Sequence, residues 1–320
     1  MYNVGIDLGG TNIATGIITE TGEMICSRSC LTQSGQNYDT ILQQIAGEVS
    51  ALLRDAGLDP SAISSVGIGI PGVVSAKAGT VIQCTNLRWY KKPVQADLES
   101  LIHLPVRIEN DANLAALAEY TAGAARGVSS CILLTLGTGI GGAIIENGRI
   151  LTGKSGQAGE FGHMTLVADG IPCACGRFGC MEQYCSATAL IRMARQILGQ
   201  RPDSTLVTLT GGDLTALTAK MIIDAARDGD NAARTAFDRF THYLAIALDS
   251  LTNLLDPEMI LLGGGVSSAG PFLLDAVLRE FPRFEHGSPR PVPRIALASL
   301  RNHAGIIGAG LLSTQGCSFA

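Results

Sequence analysis

His163, Cys173, Cys175 and Cys180 place one imidazole and three thiols within the run EFGHMTLVADGIPCACGRFGC. That is the Cys3His donor set of a tetrahedral structural Zn²⁺ site. Gly176 and Gly179, between the thiols, permit the tight turns a chain makes around a metal. The competing reading is a reduced, apolar cysteine cluster beside a surface histidine, since CxC spacing is less familiar than CxxC. Two carboxylates frame the segment, Glu160 before it and Glu182 after it. A metal closing this loop would fix both acids and one edge of His163 around the same small space. Four protein ligands leave zinc no open position, so such a metal holds the site and does not activate water or phosphate.

Two glycine turns carry the second chemical signal. Residues 4–18, VGIDLGGTNIATGII, read as an apolar strand, a Gly-Gly-Thr turn and another apolar strand, with a third short strand to follow. Residues 132–145, ILLTLGTGIGGAII, repeat the plan. Such turns let a phosphate approach the backbone, where N–H groups and Thr hydroxyls bind its oxygens. Any tight hairpin uses glycine, but two with Thr beside Gly favour phosphate binding. Asp7, just before the first Gly-Gly, is placed to hold Mg²⁺ directly or through water, or else simply caps the turn. Neither turn is a P-loop, because GxxxxGK[ST] is absent. Residues 137–142 approach a dinucleotide fingerprint, but a strand follows where a helix should, which argues against NAD.

Residues 109–113, ENDAN, gather polar groups at a strand-to-helix junction, a common catalytic position in open α/β sheets. Asp111 could take a proton from a substrate hydroxyl and Asn110 could bind another, or the pair only caps a helix. With Asn86 in its own loop, the chain offers Asn, Asp, Glu and His side chains beside backbone glycines. That set suits a polyhydroxylated, uncharged ligand, whose hydroxyls both donate and accept. A sugar beside nucleotide phosphates suggests phosphoryl transfer.

The elements that must position these groups fit α/β layering. Apolar periodicity predicts helices over 39–56, 111–121, 187–198, 215–227 and 231–255. Strands are expected over 64–70, 106–110 and 259–262, the last running into a third Gly-rich turn at 263–266. At 320 residues, 46% hydrophobic and 16% charged, the chain is globular and long enough for two domains. No low-complexity linker appears, so their boundary falls in a structured region near 118–130. The net charge of −5 gives no basic face for nucleic acid or anionic lipid. The N-terminus lacks the features of a signal peptide, and apolar stretches such as 131–145 are too short to cross a bilayer. Neither nucleic acid nor membrane is an expected partner. Nine cysteines, three of them given to the proposed metal, fit a reducing cytoplasm. Cys26, Cys30, Cys84, Cys131, Cys185 and Cys317 read as ordinary buried or semi-buried thiols.

DLGGTN at 7–12, GIPG at 69–72, ENDAN at 109–113, GTGIGG at 137–142, GEFGH at 159–163, CACGRFGCME at 173–182 and LGGGV at 262–266 occur in the order seen in the ROK family of sugar kinases. The chain resembles that family end to end, and its glucokinase branch most. The resemblance implies the actin-like ATPase fold, with two ribonuclease-H-like domains and a cleft between them. The smaller domain would comprise 1–118 plus 303–320, with a final helix near 305–312, and the larger 119–302. It implies ATP-dependent phosphorylation of a hexose, glucose first, as part of glycolysis. Alternatives are a kinase for fructose, allose, mannose or an N-acetylhexosamine, or a sugar-responsive regulator without chemistry. ROK repressors carry an N-terminal winged helix, whereas this sequence starts at the first phosphate turn.

Position by position, the resemblance makes Asp111 the general base. Gly72, Asn86, Asn110, Glu160, His163 and Glu182 would line the sugar. Asp7, Gly10, Thr11 and Thr138 would face the nucleotide phosphates and Mg²⁺, and Gly264 and Gly265 the adenosine. His163 would bind zinc through one nitrogen, with Cys173, Cys175 and Cys180, and sugar through the other. A homodimer is the family's implication. One departure is NLRWYKKP at 86–93, where family glucokinases often show NLPGW; Arg88 there bears on which hexose fits. Both phosphate turns are distant from the knuckle in sequence, so zinc loss is expected to spare nucleotide affinity.

Overall fold

Each glycine turn heads a five-stranded sheet, and the two sheets share one strand order. The computed structural model describes residues 1–201, 203–283 and 291–312. Cys317 and residues 313–320 of the expected smaller domain lie outside the described residues. The chain opens with β1 (Tyr2–Leu8), β2 (Asn12–Thr19), β3 (Met24–Leu31) and α1 (Tyr38–Ala56). Next come β4 (Ile63–Ile70), β5 (Val73–Ser75), β6 (Thr80–Cys84), β7 (Trp89–Lys92), α2 (Val94–Ile102), β8 (Val106–Asn110) and α3 (Asp111–Ala122). The second glycine turn lies between β9 (Ser130–Leu136) and β10 (Ile140–Glu146), with β11 (Arg149–Ile150) following. Helices α4 (Glu182–Cys185), α5 (Ala187–Leu198), α6 (Thr205–Leu209), α7 (Ala219–Arg227) and α8 (Asn231–Leu255) precede β12 (Met259–Gly263). The described chain ends with α9 (Pro271–Glu280), β13 (Arg294–Leu297) and α10 (Ala304–Leu311).

The strand orders are β3-β2-β1-β4-β8 and β11-β10-β9-β12-β13, and β5-β6-β7 form a small third sheet. The internal repeat read from the two glycine turns is thus a repeat of topology. The chain divides into two compact units, Met1–Leu133 with Ala143–Gly159 and Ser299–Ala320, and Leu134–Gly142 with Glu160–Ala298. Relative to domains 1–118 plus 303–320 and 119–302, the first unit also takes in residues 119–133, 143–159 and 299–302.

In the first unit, apolar residues of β1 and β2 (Val4, Ile6, Leu8, Ile13, Ile17) meet the stripe of α1 (Ile41, Ile45, Leu52) in a fully buried core. Asn37 caps α1, its side chain accepting the Thr40 N–H. Helix α10 packs on the sheet with no room for intervening side chains. A Cβ on Gly5 of β1 would strike the Ile306 carbonyl oxygen, and one on Gly67 of β4 that of Ala309. Buried Glu119 of α3 ties down the segment leading into α10, accepting from Leu300 N at 2.7 Å, Ala124 N at 2.8 Å and Ser299 Oγ at 3.0 Å.

In the second unit, α8 is the central helix, burying Phe237, Phe240, Leu244, Leu248 and Leu251. The helix expected over 215–227 begins at Ala219, because Thr218 supplies the cap by accepting the Met221 N–H. Among the described residues, no helix is long and apolar enough to cross a membrane.

Candidate functional site

In the first unit, three parallel strands deliver two carboxylates to one edge of the sheet. Strands β1, β4 and β8 run parallel, with Asp7 opposite Gly69 and Ile70 opposite Asn110. Asp7 and the Asn110–Asp111 pair therefore stand at the carboxyl ends of these strands, the usual ligand edge of an open α/β sheet. Asn110 is the cap of α3: its Oδ1 accepts from Ala112 N at 2.9 Å and Asn113 N at 3.1 Å. Its Nδ2 donates to the Gly72 carbonyl at 3.0 Å, joining two expected sugar-site positions. Asp111 is the first residue of α3 and is not its cap.

Burial raises the Asp111 pKa, partly offset by the Ala112 N–H. Asp7 is pushed up to about 6, first by burial and then by the charge of Asp111. The first turn of α10 presses on the same group, since a Cβ on Gly305 would fall 2.6 Å from Asp7 Oδ2. A desolvated carboxylate whose proton affinity is raised further by a second, buried one marks a place where a cation is stabilising.

The residue just past β3 fixes the first glycine turn. Thr32 donates its N–H to Thr11 O at 2.7 Å and its hydroxyl to Gly9 O at 2.8 Å. Thr11 and Asn86 are exposed. A Cβ on Gly10 would fall 3.2 Å from Asn86 Cβ, so the turn and the expected sugar loop are neighbours. Arg88 of that loop has φ +55°, a left-handed conformation uncommon for a side-chain-bearing residue. Buried Glu109 holds the junction from below, its Oε1 accepting from Asn110 N at 2.8 Å and Asn113 Nδ2 at 3.0 Å.

The second unit gathers the other half of the expected set. Thr138 is exposed at the tip of the second turn, which the Gly137 N–H closes onto Gly139 O at 3.0 Å. Ala187 N donates to Gly137 O, and Thr188 Oγ1 to Thr138 O, each at 2.8 Å. Glu182 Oε2 accepts the Ile140 N–H at 3.0 Å. Gly264 lies against the strand feeding this turn, since a Cβ there would fall 2.6 Å from Leu136 N. Gly265 follows at the start of a short 3₁₀ turn.

His163, Cys173, Cys175 and Cys180 bring their ligand atoms within 4.8 Å of one another. His163 Nδ1 lies 3.8 Å from Cys173 Sγ, and Cys175 Sγ 3.6 Å from Cys180 Sγ. Backbone bonds build the knuckle around them: Leu166 N to Gly179 O, Gly179 N to Ile171 O, and Cys173 N to Arg177 O. The Tyr184 hydroxyl accepts the Ile171 N–H. The Arg177 backbone N–H lowers the Cys175 thiol, whereas burial pushes Cys180 up to about 12. Three sulfurs and a ring nitrogen converging at this range fit tetrahedral zinc, which would hold the thiols as thiolates. Glu160 is exposed, and its carbonyl accepts the His163 N–H.

Asp7, Gly10, Thr11, Gly72, Asn86, Asn110 and Asp111 thus belong to the first unit. Thr138, Glu160, His163, Cys173, Cys175, Cys180, Glu182, Gly264 and Gly265 belong to the second. The second turn and the knuckle, far apart in sequence, meet through Glu182. Thr32, Glu109 and Thr188 were not expected from the sequence. Thr32 and Thr188 act on backbone carbonyls, which leave no residue-type signature. Glu109 was visible only as one acid of a polar cluster.

A model of the ROK family matches residues 3–315. A glucokinase of Halalkalibacterium halodurans is 37% identical over 98% of this chain and 95% of that protein. An N-acetyl-D-glucosamine kinase of Pectobacterium atrosepticum is 32% identical over 96% of this chain and 97% of its own. The structure is similar to that of a ROK family glucokinase from Streptomyces griseus in complex with glucose and AMPPNP. The TM-score is 0.85 at 37% identity, over 99% of this chain and 100% of that one. The match runs over nearly the full length, and the chain belongs to the ROK family.

Proposed function

We propose that this protein is an ATP-dependent sugar kinase that phosphorylates glucose to glucose 6-phosphate. The observation that carries the reading is the Asp111 carboxylate at the strand-end edge, freed from capping by Asn110 and set beside Asp7. Full-length similarity to a glucokinase solved with glucose and AMPPNP supports both the sugar and the nucleotide. Asp111 accepts the proton of the attacking hydroxyl as its oxygen bonds to the γ-phosphorus. The bond from that phosphorus to the bridging oxygen breaks, and ADP leaves with the electron pair. Asp7 would hold Mg²⁺ bound with ATP, directly or through water, and the ion would supply charge neutralisation at the phosphates.

Gly10, Thr11 and Thr138 offer turn backbone and hydroxyls to the phosphates, and Gly264 and Gly265 flank the adenosine. Gly72, Asn86, Asn110, Glu160, His163 and Glu182 read the sugar hydroxyls. Asn110 has one Nδ2 hydrogen left for this, and Glu182 has Oε1, since Oε2 is engaged by Ile140. Zinc held by His163, Cys173, Cys175 and Cys180 is structural. A homodimer in the cytoplasm, feeding glycolysis, completes the reading, with light scattering as the test of the dimer. A coupled ADP-release assay over glucose, fructose, mannose, allose and N-acetylglucosamine tests the activity. Glucose should give the highest kcat/KM, and no ADP release with any of these sugars would overturn the kinase reading.

A further inference from the structure

Both arms of the metal knuckle end on a single residue of the second glycine turn. Gly162, immediately before His163, lies so near that a Cβ would fall 2.6 Å from the Ile140 carbonyl oxygen. Glu182, two residues after Cys180, takes the Ile140 N–H at 3.0 Å. The same Glu182 oxygen occupies the place a Cβ on Gly139 would need. Both backbone polar groups of Ile140 are thus faced by chain leaving the metal ligands. The connectors are one and two residues long, too short to absorb movement of the ligands. Beyond Glu182 the same chain continues through α4 into α5, whose first residues hold Gly137 O and Thr138 O at 2.8 Å.

We propose that Glu182 is a positioning residue through which the Cys3His cluster sets the geometry of the Gly137–Ile140 turn, so that loading the cluster with zinc tightens nucleotide binding. This rests on the reading that the turn binds nucleotide phosphate. Without metal, the arms at His163 and Cys180 gain freedom, and the turn must be ordered when nucleotide arrives. With metal, that ordering is complete beforehand, which lowers the cost of binding. The carboxylate suits the task because a charge-assisted hydrogen bond holds the Ile140 amide more firmly than a neutral one. The proposal departs from the expectation that zinc loss spares nucleotide affinity.

The test is calorimetric titration with Mg·AMPPNP, without sugar, on zinc-loaded protein and on protein stripped with a chelator, with zinc counted by metal analysis. Leaving sugar out separates this role of Glu182 from its contact with substrate. Stripping wild-type protein should weaken AMPPNP about tenfold, the scale of one charge-assisted hydrogen bond. Glu182→Ala should weaken it similarly when loaded, and stripping that variant should add less than about a factor of two, because the link is already cut. Glu182→Gln, which keeps an acceptor, should restore most of the zinc dependence. Should the alanine variant fail to fold, Glu182→Asp, a methylene too short to reach Ile140, must show the same loss. Equal affinity with and without zinc in wild-type protein, or independent losses in the variant, overturns the proposal. Absence of AMPPNP binding by loaded wild-type protein would instead overturn the kinase reading itself.

Discussion

The two glycine turns look alike in sequence but are held by different means. The first is pinned by its own sheet, through Thr32 at the end of β3, with two neutral hydrogen bonds to Gly9 O and Thr11 O. The second is held by Ala187 N and Thr188 Oγ1 and by a carboxylate forty-two residues downstream, on the chain leaving the Cys3His knuckle. A turn held by its neighbouring strand has the stability of the sheet. A turn held by a distant charged group inherits whatever controls that group, which on the proposed reading is the metal occupancy of the Cys3His cluster. The first unit also carries the two desolvated carboxylates, so on the proposed reading the duplicated plan is divided between chemistry in one copy and metal-dependent grip in the other.

The largest test of that division is Asp111→Ala. Losing the general base should lower kcat by about 10²-fold or more, whereas stripping zinc should act mainly on binding. Because Asn110 caps α3, the variant should keep nearly wild-type thermal stability. A variant with near-normal turnover would return Asp111 to a structural role and leave the first copy without its chemistry.

Next in size is Glu119→Ala. This buried carboxylate accepts three hydrogen bonds and fixes the segment leading into α10, the helix that presses on Asp7. Its removal leaves the half-buried Leu300 and Ala124 N–H groups without their acceptor, at a cost of about 3 kcal/mol. Urea unfolding should show the loss with zinc bound or absent, since no knuckle group takes part. A loss under about 1 kcal/mol would mean that α10 is held by packing alone.

Much of this arrangement was legible in the sequence, for identifiable reasons. Helices α5 and α8 bury regular apolar stripes, and their bounds follow the periodicity. The knuckle was legible because thiols and imidazole have few other uses at such spacing. The β5–β7 sheet was not, since in β6 Val81 is buried while Ile82 and Gln83 are both exposed, which breaks alternation. Helix α2 has Pro93 at its cap position and no side-chain cap, so its start carries no signal. Helix α9 carries a signal in its sequence: Pro271 opens it, and Leu273, Ala276 and Val277 mark its buried face. The bond from Glu182 to Ile140 was beyond reach, because a backbone N–H is the same at every residue.

Asp7→Asn sharpens the picture of the first copy through pH. A folded pKa raised from 3.8 to about 6 means the fold favours the protonated acid. That contribution to stability is complete below about pH 4 and is lost as pH rises through 6, amounting to about 3 kcal/mol at most. Asparagine cannot ionise, so the variant should melt higher than wild type above pH 6, with the gap closing towards pH 4. Mg·AMPPNP should narrow the gap at neutral pH by stabilising only the protein that keeps its carboxylate. Turnover should fall, since the group that disfavours the fold is the one that serves the metal. Parallel melting curves across this range, or unchanged turnover and Mg²⁺ dependence, would make Asp7 a turn residue only.

The smallest effect bears most directly on the contrast between the turns. Thr32→Val removes the hydroxyl that donates to Gly9 O at 2.8 Å and keeps the side-chain shape and the backbone bond to Thr11 O. One neutral hydrogen bond contributes about 1 kcal/mol, so Mg·AMPPNP binding should weaken about fivefold. Among the described residues, Thr32 shares no hydrogen-bond partner with Glu182 or with the knuckle. Its effect should therefore be the same in zinc-loaded and stripped protein, and should add to that of Glu182→Ala within about 0.5 kcal/mol. Calorimetry on the four combinations of wild type and Thr32→Val, loaded and stripped, decides the matter. If the threonine's contribution vanished on stripping, the first turn would also answer to the metal. The division argued from their different tethers would then fail.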